Sequence, residues 1–249
     1  MYPNELRSKL AQLKLTGMAE GLEAQLSTSH AVELSFEERF GLLVDYELTY
    51  RENRRLKTLL KMAKLKMQAD LADINFSANR NINRSHIATL ATCDWITRGF
   101  NVLITGATGT GKTYIACALG HQACLKGHTT QFHKFGLLLE DLKMARIDGT
   151  FFARLKSVNR SSLLIVDDFG LKGDLTASEC ELFYELLDGR HEKGATVITS
   201  QLPQSRWHEY LSMSNRTTAD AIMDRLITNA SNFELKGESL RPRKSTLFD

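Results

Sequence analysis

Apolar residues follow two different periods along this chain, and the change comes near residue 75. Before it the spacing is helical, with Leu6, Leu10 and Leu13 on one side of a first helix. Ser35 and Glu38 form a capping-box pattern, in which hydroxyl and carboxylate satisfy free amides at a helix start. That start predicts a long helix running to about residue 68, with Leu56, Leu59, Leu60, Ala63 and Met67 as one apolar stripe. A looser stretch rich in Asn and Ser occupies 75–100, around a short helix. Beyond it, short apolar runs alternate with helical stretches. The runs are Asn101–Thr105, Thr129–His133, Leu163–Asp167, Thr196–Ser200 and Asn232–Leu235. Continuous apolar strands separated by helices predict an α/β fold, a parallel sheet flanked by helices on both faces. A second capping box, Thr176 with Glu179, opens a helix carrying Leu182, Phe183, Leu186 and Leu187. The expected organisation is a small all-α N-terminal domain over 1–75 and an α/β domain over 76–249.

Composition narrows the class. With 249 residues, 43% hydrophobic and 24% charged, the chain is neither disordered nor fibrous. No run approaches the ~18 apolar residues of a membrane span, and the opening MYPNELRSKL lacks a signal peptide's apolar region. Cys93, Cys117, Cys124 and Cys180 form no C-x-x-C pair and read as reduced thiols of a cytoplasmic protein. A net charge of +3 says little about partners until its distribution is considered.

The strongest chemical signal is the segment Gly106-Ala107-Thr108-Gly109-Thr110-Gly111-Lys112-Thr113, a full G-x-x-x-x-G-K-[ST] match between a strand and a helix. Such a loop curls its backbone amides around phosphate oxygens at a helix N-terminus. Lys112 would neutralise the β- and γ-phosphates of ATP, and the Thr113 hydroxyl would hold Mg²⁺. A second strand ends in Asp167 and Asp168, which suits Asp167 to the Mg²⁺ shell and Asp168 to water activation. Asp168 alternatively caps the turn at Phe169-Gly170. Thr199-Ser200-Gln201 closes the next strand beside the phosphate loop. There Gln201 either reads the γ-phosphate or serves ordinary turn chemistry. Arg225 lies late on a helix whose apolar side includes Ile222 and Leu226. It is a candidate arginine finger for a neighbouring subunit, the alternative being a pair with Asp224 or Glu209.

Basic residues gather in two runs. The first holds Arg51, Arg54, Arg55, Lys57, Lys61, Lys64 and Lys66 against Glu52 alone; the second holds Lys143, Arg146, Arg154, Lys156 and Arg160 against Asp148. Runs of this kind are often solvated helix faces. The one-signed first run, with few acids for pairing, also suits sequence-independent contact with DNA phosphates.

GATGTGKT, LLIVDDFGL, VITSQLPQSRWHEYL, ADAIMDRL and FELKGES, in this order, resemble the IstB family of AAA+ ATPase helpers of transposition. The likeness extends to LKLTGMAEGLE and SFEERFGLLVDYE, nearly the whole chain. That family is similar to the helicase loader DnaC and the initiator DnaA. The resemblance implies a P-loop NTPase sheet of the ASCE type, a helical N-terminal domain and ATP-dependent self-assembly on duplex DNA. It also implies stimulation of a partner transposase. Residue by residue it implies Lys112 and Thr113 at the phosphates, the acidic pair Asp167 and Asp168, Gln201 near the first sensor position and Arg225 as the finger. It places the DNA-contacting insertion within Lys143 to Arg160. Asp168 departs from the Glu of many AAA+ members, which implies slow hydrolysis. The short tail after Gly237 leaves no room for a full lid, so whether Arg241 or Arg243 senses nucleotide stays open. A DnaC-like helicase loader is the alternative function. A small-molecule phosphotransferase would need an acceptor pocket and an arginine-bearing lid, and no segment supplies either.

Overall fold

The computed structural model describes residues 3–27, 34–76, 80–213 and 215–240. Arg241 and Arg243 lie outside them. The chain divides into two compact units, Met1–Thr58 and Leu59–Asp249, so the division falls earlier than residue 75. The reason is packing: Leu65, Leu71 and Ile74 join an apolar cluster of the second unit, and Ala69 packs beside Cys117 and Ala118.

In the first unit α1 (Pro3–Gln12) and α2 (Thr16–Ser27) precede the long α3 (Phe36–Ala63), whose end from Leu59 onward belongs to the second unit. The predicted capping box forms at its start. Glu38 accepts from the Ser35 N–H at 2.8 Å, and the Glu38 N–H donates to Ser35 Oγ at 3.3 Å. The helix stops before residue 68 because Lys64 adopts a left-handed backbone, at φ 50°. Met67 therefore leaves the expected stripe and is exposed, while Leu59 and Ala63 are buried. The nearly buried Glu47 ties α2 to α3, accepting from the Met18 N–H at 3.1 Å and from Arg51 Nε at 2.7 Å.

The second unit carries α4 (Arg84–Ala91), α5 (Asp94–Thr97), β1 (Asn101–Gly106), α6 (Lys112–Leu125), β2 (Thr130–Lys134), α7 (Phe135–Ile147) and α8 (Phe151–Asn159). β3 (Leu163–Phe169), α9 (Ala177–Arg190), β4 (Ala195–Ser200), α10 (Trp207–Ser212), α11 (Arg216–Ile227) and β5 (Ala230–Leu235) follow. All strand pairs are parallel, in the order β2-β3-β4-β1-β5. This is the parallel sheet of a P-loop AAA+ fold, with helices on both faces.

Strand alternation explains the two layers. Val102, Ile104, Ile165 and Val197 point to a cluster with Ile115 and Leu119 of α6, and Leu103, Leu164, Val166 and Ile198 to one with Phe135, Phe183, Trp207 and Leu226. Each such buried aliphatic or aromatic side chain contributes roughly 1.5–3 kcal/mol relative to exposure. The three inner strands are therefore apolar on both faces, while β2 and β5 at the edges are only partly buried. The second capping box also forms, with Thr176 accepting from the Glu179 N–H at 3.3 Å and Glu179 from the Thr176 N–H at 3.0 Å.

Candidate nucleotide-binding site

β1, β3 and β4 deliver their C-terminal ends to one edge of the sheet, beside the start of α6. The loop between β1 and α6 turns at Gly106, whose φ is 147°; a Cβ there would lie 2.5 Å from the Leu235 carbonyl oxygen. Gly111, the residue before α6, is left-handed at φ 92°. The first amides of any helix lack partners within it, and here they open onto this loop, which is the arrangement that binds phosphate. Lys112 is nearly buried, and its Nζ donates to the Gly106 and Ala107 carbonyls at 2.8 Å each. The ammonium is thus held inside the curl of the loop.

Asp167 is fully buried at the end of β3. Its Oδ1 accepts from Thr113 Oγ1 at 2.7 Å and from Thr199 Oγ1 at 2.6 Å. Its Oδ2 accepts from Lys66 Nζ at 3.1 Å. The phosphate loop, the acidic strand and β4 therefore meet on one carboxylate. A hydroxyl and a carboxylate are hard oxygen donors, and Mg²⁺ is commonly held by one or two such groups together with substrate phosphates. The donor set of Thr113 and Asp167 fits that ion. Among the described residues there is no cluster of three or more His, Cys, Asp or Glu that would suit a different metal.

The two acids diverge because of a bulge. Val166 pairs with Ile198 and Phe169 with Ser200, so three steps along β3 oppose two along β4. The extra residue re-aims the side chains and leaves Asp168 left-handed, at φ 63°. The Asp168 N–H donates to Thr199 Oγ1 at 3.1 Å, and its side chain is only half-buried. Thr199 thus bridges both acids. The polar strand end points to Gln201, whereas the residue joined to Asp167 is Thr199, one β pleat earlier. Gln201 instead accepts from Thr108 Oγ1 of the phosphate loop at 2.6 Å. Gln201 lines a cleft of about 670 Å³, bordered also by Gly106, Ala107, Gln204, Asn232 and Glu234.

Arg80 has no motif around it and escapes sequence reading. Its buried guanidinium donates to the Thr110 carbonyl at 2.5 Å and to the Asn75 carbonyl at 2.9 Å, bracing the phosphate loop from the side. Burial pushes its pKa below the ordinary arginine value. The Leu240 N–H donates to the Gly109 carbonyl at 2.9 Å, which brings the C-terminal segment against the same loop.

Arg225 hydrogen-bonds Asp188 of the same chain, in place of the expected pair with Asp224 or Glu209. Its guanidinium also donates to Tyr184 Oη at 3.2 Å and lies over that ring, 4.8 Å from the centroid. The hydrogen bond to Asp188 raises its pKa.

The basic runs meet different fates. Arg51 is paired with Glu47, whereas Arg54, Arg55, Lys57, Lys61 and Lys64 are exposed. Arg54, Lys57 and Lys61 follow helical spacing and share one side of α3. On α7 and α8, Arg146 pairs with Glu185 at 2.6 Å and lies over the Phe151 ring, and Arg154 pairs with Asp141. Lys143 is exposed. No helix among the described residues is long and apolar enough to cross a membrane.

The family profile described as IstB-like ATP binding protein matches residues 8–247. An insertion-sequence ATP-binding protein of Sinorhizobium fredii is 41% identical over 232 residues, covering 93% of this chain and 92% of that protein. Among solved structures, DnaI superposes with a TM-score of 0.59 at 20% identity, over 75% of this chain and all (100%) of that one. The DnaC helicase loader superposes with a TM-score of 0.52 at 21% identity, over 72% and 99%. These two likenesses bear on the fold. The phosphate loop, the acidic strand and a family match spanning nearly the whole sequence place this chain in the family of IstB-like ATP-binding proteins.

Proposed function

We propose that this protein is an ATP-hydrolysing, DNA-binding regulator that assembles as a homo-oligomer on duplex DNA and stimulates a partner transposase. The observation that carries the ATPase half is the buried Asp167 carboxylate, joined at once to Thr113 of the phosphate loop and Thr199 of β4. In this reading Lys112 neutralises the β- and γ-phosphates, the amides of 106–113 cradle them, and Thr113 and Asp167 hold Mg²⁺. A bound Mg²⁺ supplies positive charge at the phosphate oxygens. Asp168, half-buried beyond the bulge, polarises the attacking water, and Gln201 orients it through Thr108. Arg225 serves a neighbouring subunit's nucleotide once it leaves Asp188.

The DNA half is supported by the shared side of Arg54, Lys57 and Lys61, with Arg51, Arg55 and Lys64 beside them. Lys143, Arg146 and Arg154 form a second contact in which Arg146 and Arg154 exchange Glu185 and Asp141 for phosphates. Contact with phosphates rather than base edges makes binding largely independent of sequence. The relative from an insertion sequence favours a transposase as the partner over a replicative helicase.

The test is ATP hydrolysis with and without duplex DNA, paired with electron microscopy of the protein on DNA in ATP, ADP or no nucleotide. The expected result is DNA-stimulated hydrolysis and ATP-dependent assemblies, both lost in Lys112→Ala. Hydrolysis indifferent to DNA, with no assembly in ATP, would overturn the reading. Capture of a replicative helicase in place of the transposase would favour the loader alternative.

A further inference from the structure

Lys66 closes the first basic run, yet its ammonium sits on a carboxylate that already accepts from two hydroxyls. Asp167 offers two oxygens. Oδ1 is taken by the Thr113 and Thr199 hydroxyls, and Oδ2 faces Lys66 Nζ at 3.1 Å. The approach is fixed by backbone. Lys64 turns the chain out of α3 with its positive φ, and Leu65 packs so closely on Gly120 of α6 that a Cβ there would meet it at 2.9 Å. Burial raises the pKa of the Cys117 thiol, also on α6, and the nearby Met67 and Lys66 amides act against that rise. The helix that begins with Lys112 and Thr113 therefore also anchors the residue whose side chain reaches Asp167.

A fully buried carboxylate with hydroxyl donors alone is costly, and a cation at Oδ2 offsets that cost. A divalent ion held by Thr113 and Asp167 brings its own charge to the same carboxylate. Two cations at one buried anion repel each other strongly. Asp167 itself is 0% exposed and the Lys66 side chain 35% exposed, so the lysine has a route to water that the carboxylate lacks. It is the partner that yields.

We propose that Lys66 is a built-in counter-ion of Asp167 that competes with the divalent cation, so that loading of metal and nucleotide expels its ammonium from the site. The inference rests on the assignment of Asp167 to metal. Coupling between the two is reciprocal: the lysine raises the metal concentration needed, and the metal frees the lysine.

Lys66→Met keeps the unbranched stem, one atom shorter, and removes the charge. The Mg²⁺ concentration that half-saturates binding of a fluorescent ATP analogue should fall about tenfold, within the roughly 5- to 150-fold range of coupled sites. Lys66→Arg should keep the wild-type requirement. In the wild-type protein, acetylation of Lys66 read by mass spectrometry should speed up when Mg²⁺ and ATP analogue are added. Exposed Lys126 serves as the internal reference. This second readout decides the matter even if the methionine variant does not fold. An unchanged or increased Mg²⁺ requirement in a folded Lys66→Met, or slower acetylation on loading, would overturn the proposal. Failure of this inference alone would leave nucleotide binding dependent on Lys112 and on Mg²⁺. Failure of the metal assignment would show as binding indifferent to Mg²⁺ in every variant.

Discussion

Arg225 and Asp188 are joined by two hydrogen bonds, from Nη2 at 2.7 Å and from Nε at 2.9 Å, linking α11 to α9. The arginine is mostly buried at 21% side-chain exposure and the aspartate half exposed at 50%. A finger acting on a neighbour must leave this pair, and the pair's price is small, on the order of 1 kcal/mol for a partly solvated bridge. Asp188→Ala should therefore keep or raise DNA-stimulated hydrolysis, while Arg225→Ala should abolish most of it with ATP binding retained. Mixing Arg225→Ala with Lys112→Ala should restore some activity, because one interface then unites an intact loop with an intact arginine. Equal losses in Asp188→Ala and Arg225→Ala, with no recovery on mixing, would mark Arg225 as a structural residue.

Asp168→Asn should bind ATP normally and hydrolyse it about 10²- to 10⁴-fold more slowly, the usual contribution of a general base. Asn tolerates the left-handed backbone as Asp does, so the φ of 63° survives the change. Phosphate release at saturating ATP measures the effect, and urea unfolding should be unaltered. Wild-type turnover would remove Asp168 from the water-activating role.

Thr199→Val conserves shape and removes the hydroxyl that serves Asp167 and the Asp168 N–H together. Leaving buried polar groups without partners costs roughly 1–3 kcal/mol, which urea unfolding would detect. Hydrolysis should fall more than nucleotide affinity, since the lost contacts orient the acids rather than the phosphate cradle. A larger effect on affinity than on turnover would contradict that division.

Arg80→Met fills the same space without donors to Thr110 and Asn75. Stability should drop by roughly 1–3 kcal/mol, as for other buried groups deprived of a hydrogen bond. Nucleotide binding should weaken as the loop loses its lateral brace, and equilibrium titration with a fluorescent ATP analogue checks this. Unchanged affinity would make Arg80 a support of the fold alone.

Replacing Arg54, Lys57 and Lys61 with Gln should weaken binding about equally on unrelated duplexes. Each lost phosphate contact should flatten the log–log salt dependence by roughly 0.9. Because Arg146 and Arg154 already hold carboxylates, their replacement should cost less DNA affinity than that of the α3 set. An unchanged slope in the α3 variant would return that helix to an ordinary solvated face.

Local pattern and chemistry alone determined much of this protein. The two capping boxes, the strand runs and the phosphate loop are each written within a few consecutive residues, so periodicity and motif spacing reveal them. The apolar runs of β1, β3 and β4 already required helices on both faces, and Asp167 was legible because a buried strand rarely ends in acid without use for it. Tertiary structure decided what depends on distant partners. Thr199 meets Asp167 across 32 residues, Arg80 meets Thr110 across 30, Arg225 meets Asp188 across 37 and Lys66 meets Asp167 across 101. The bulge at Asp168 and the early end of α3 at Lys64 belong to the same class. A polar side chain carries no periodic signature of the acceptor it will find, because that acceptor is brought near only when the sheet and its covering helices pack.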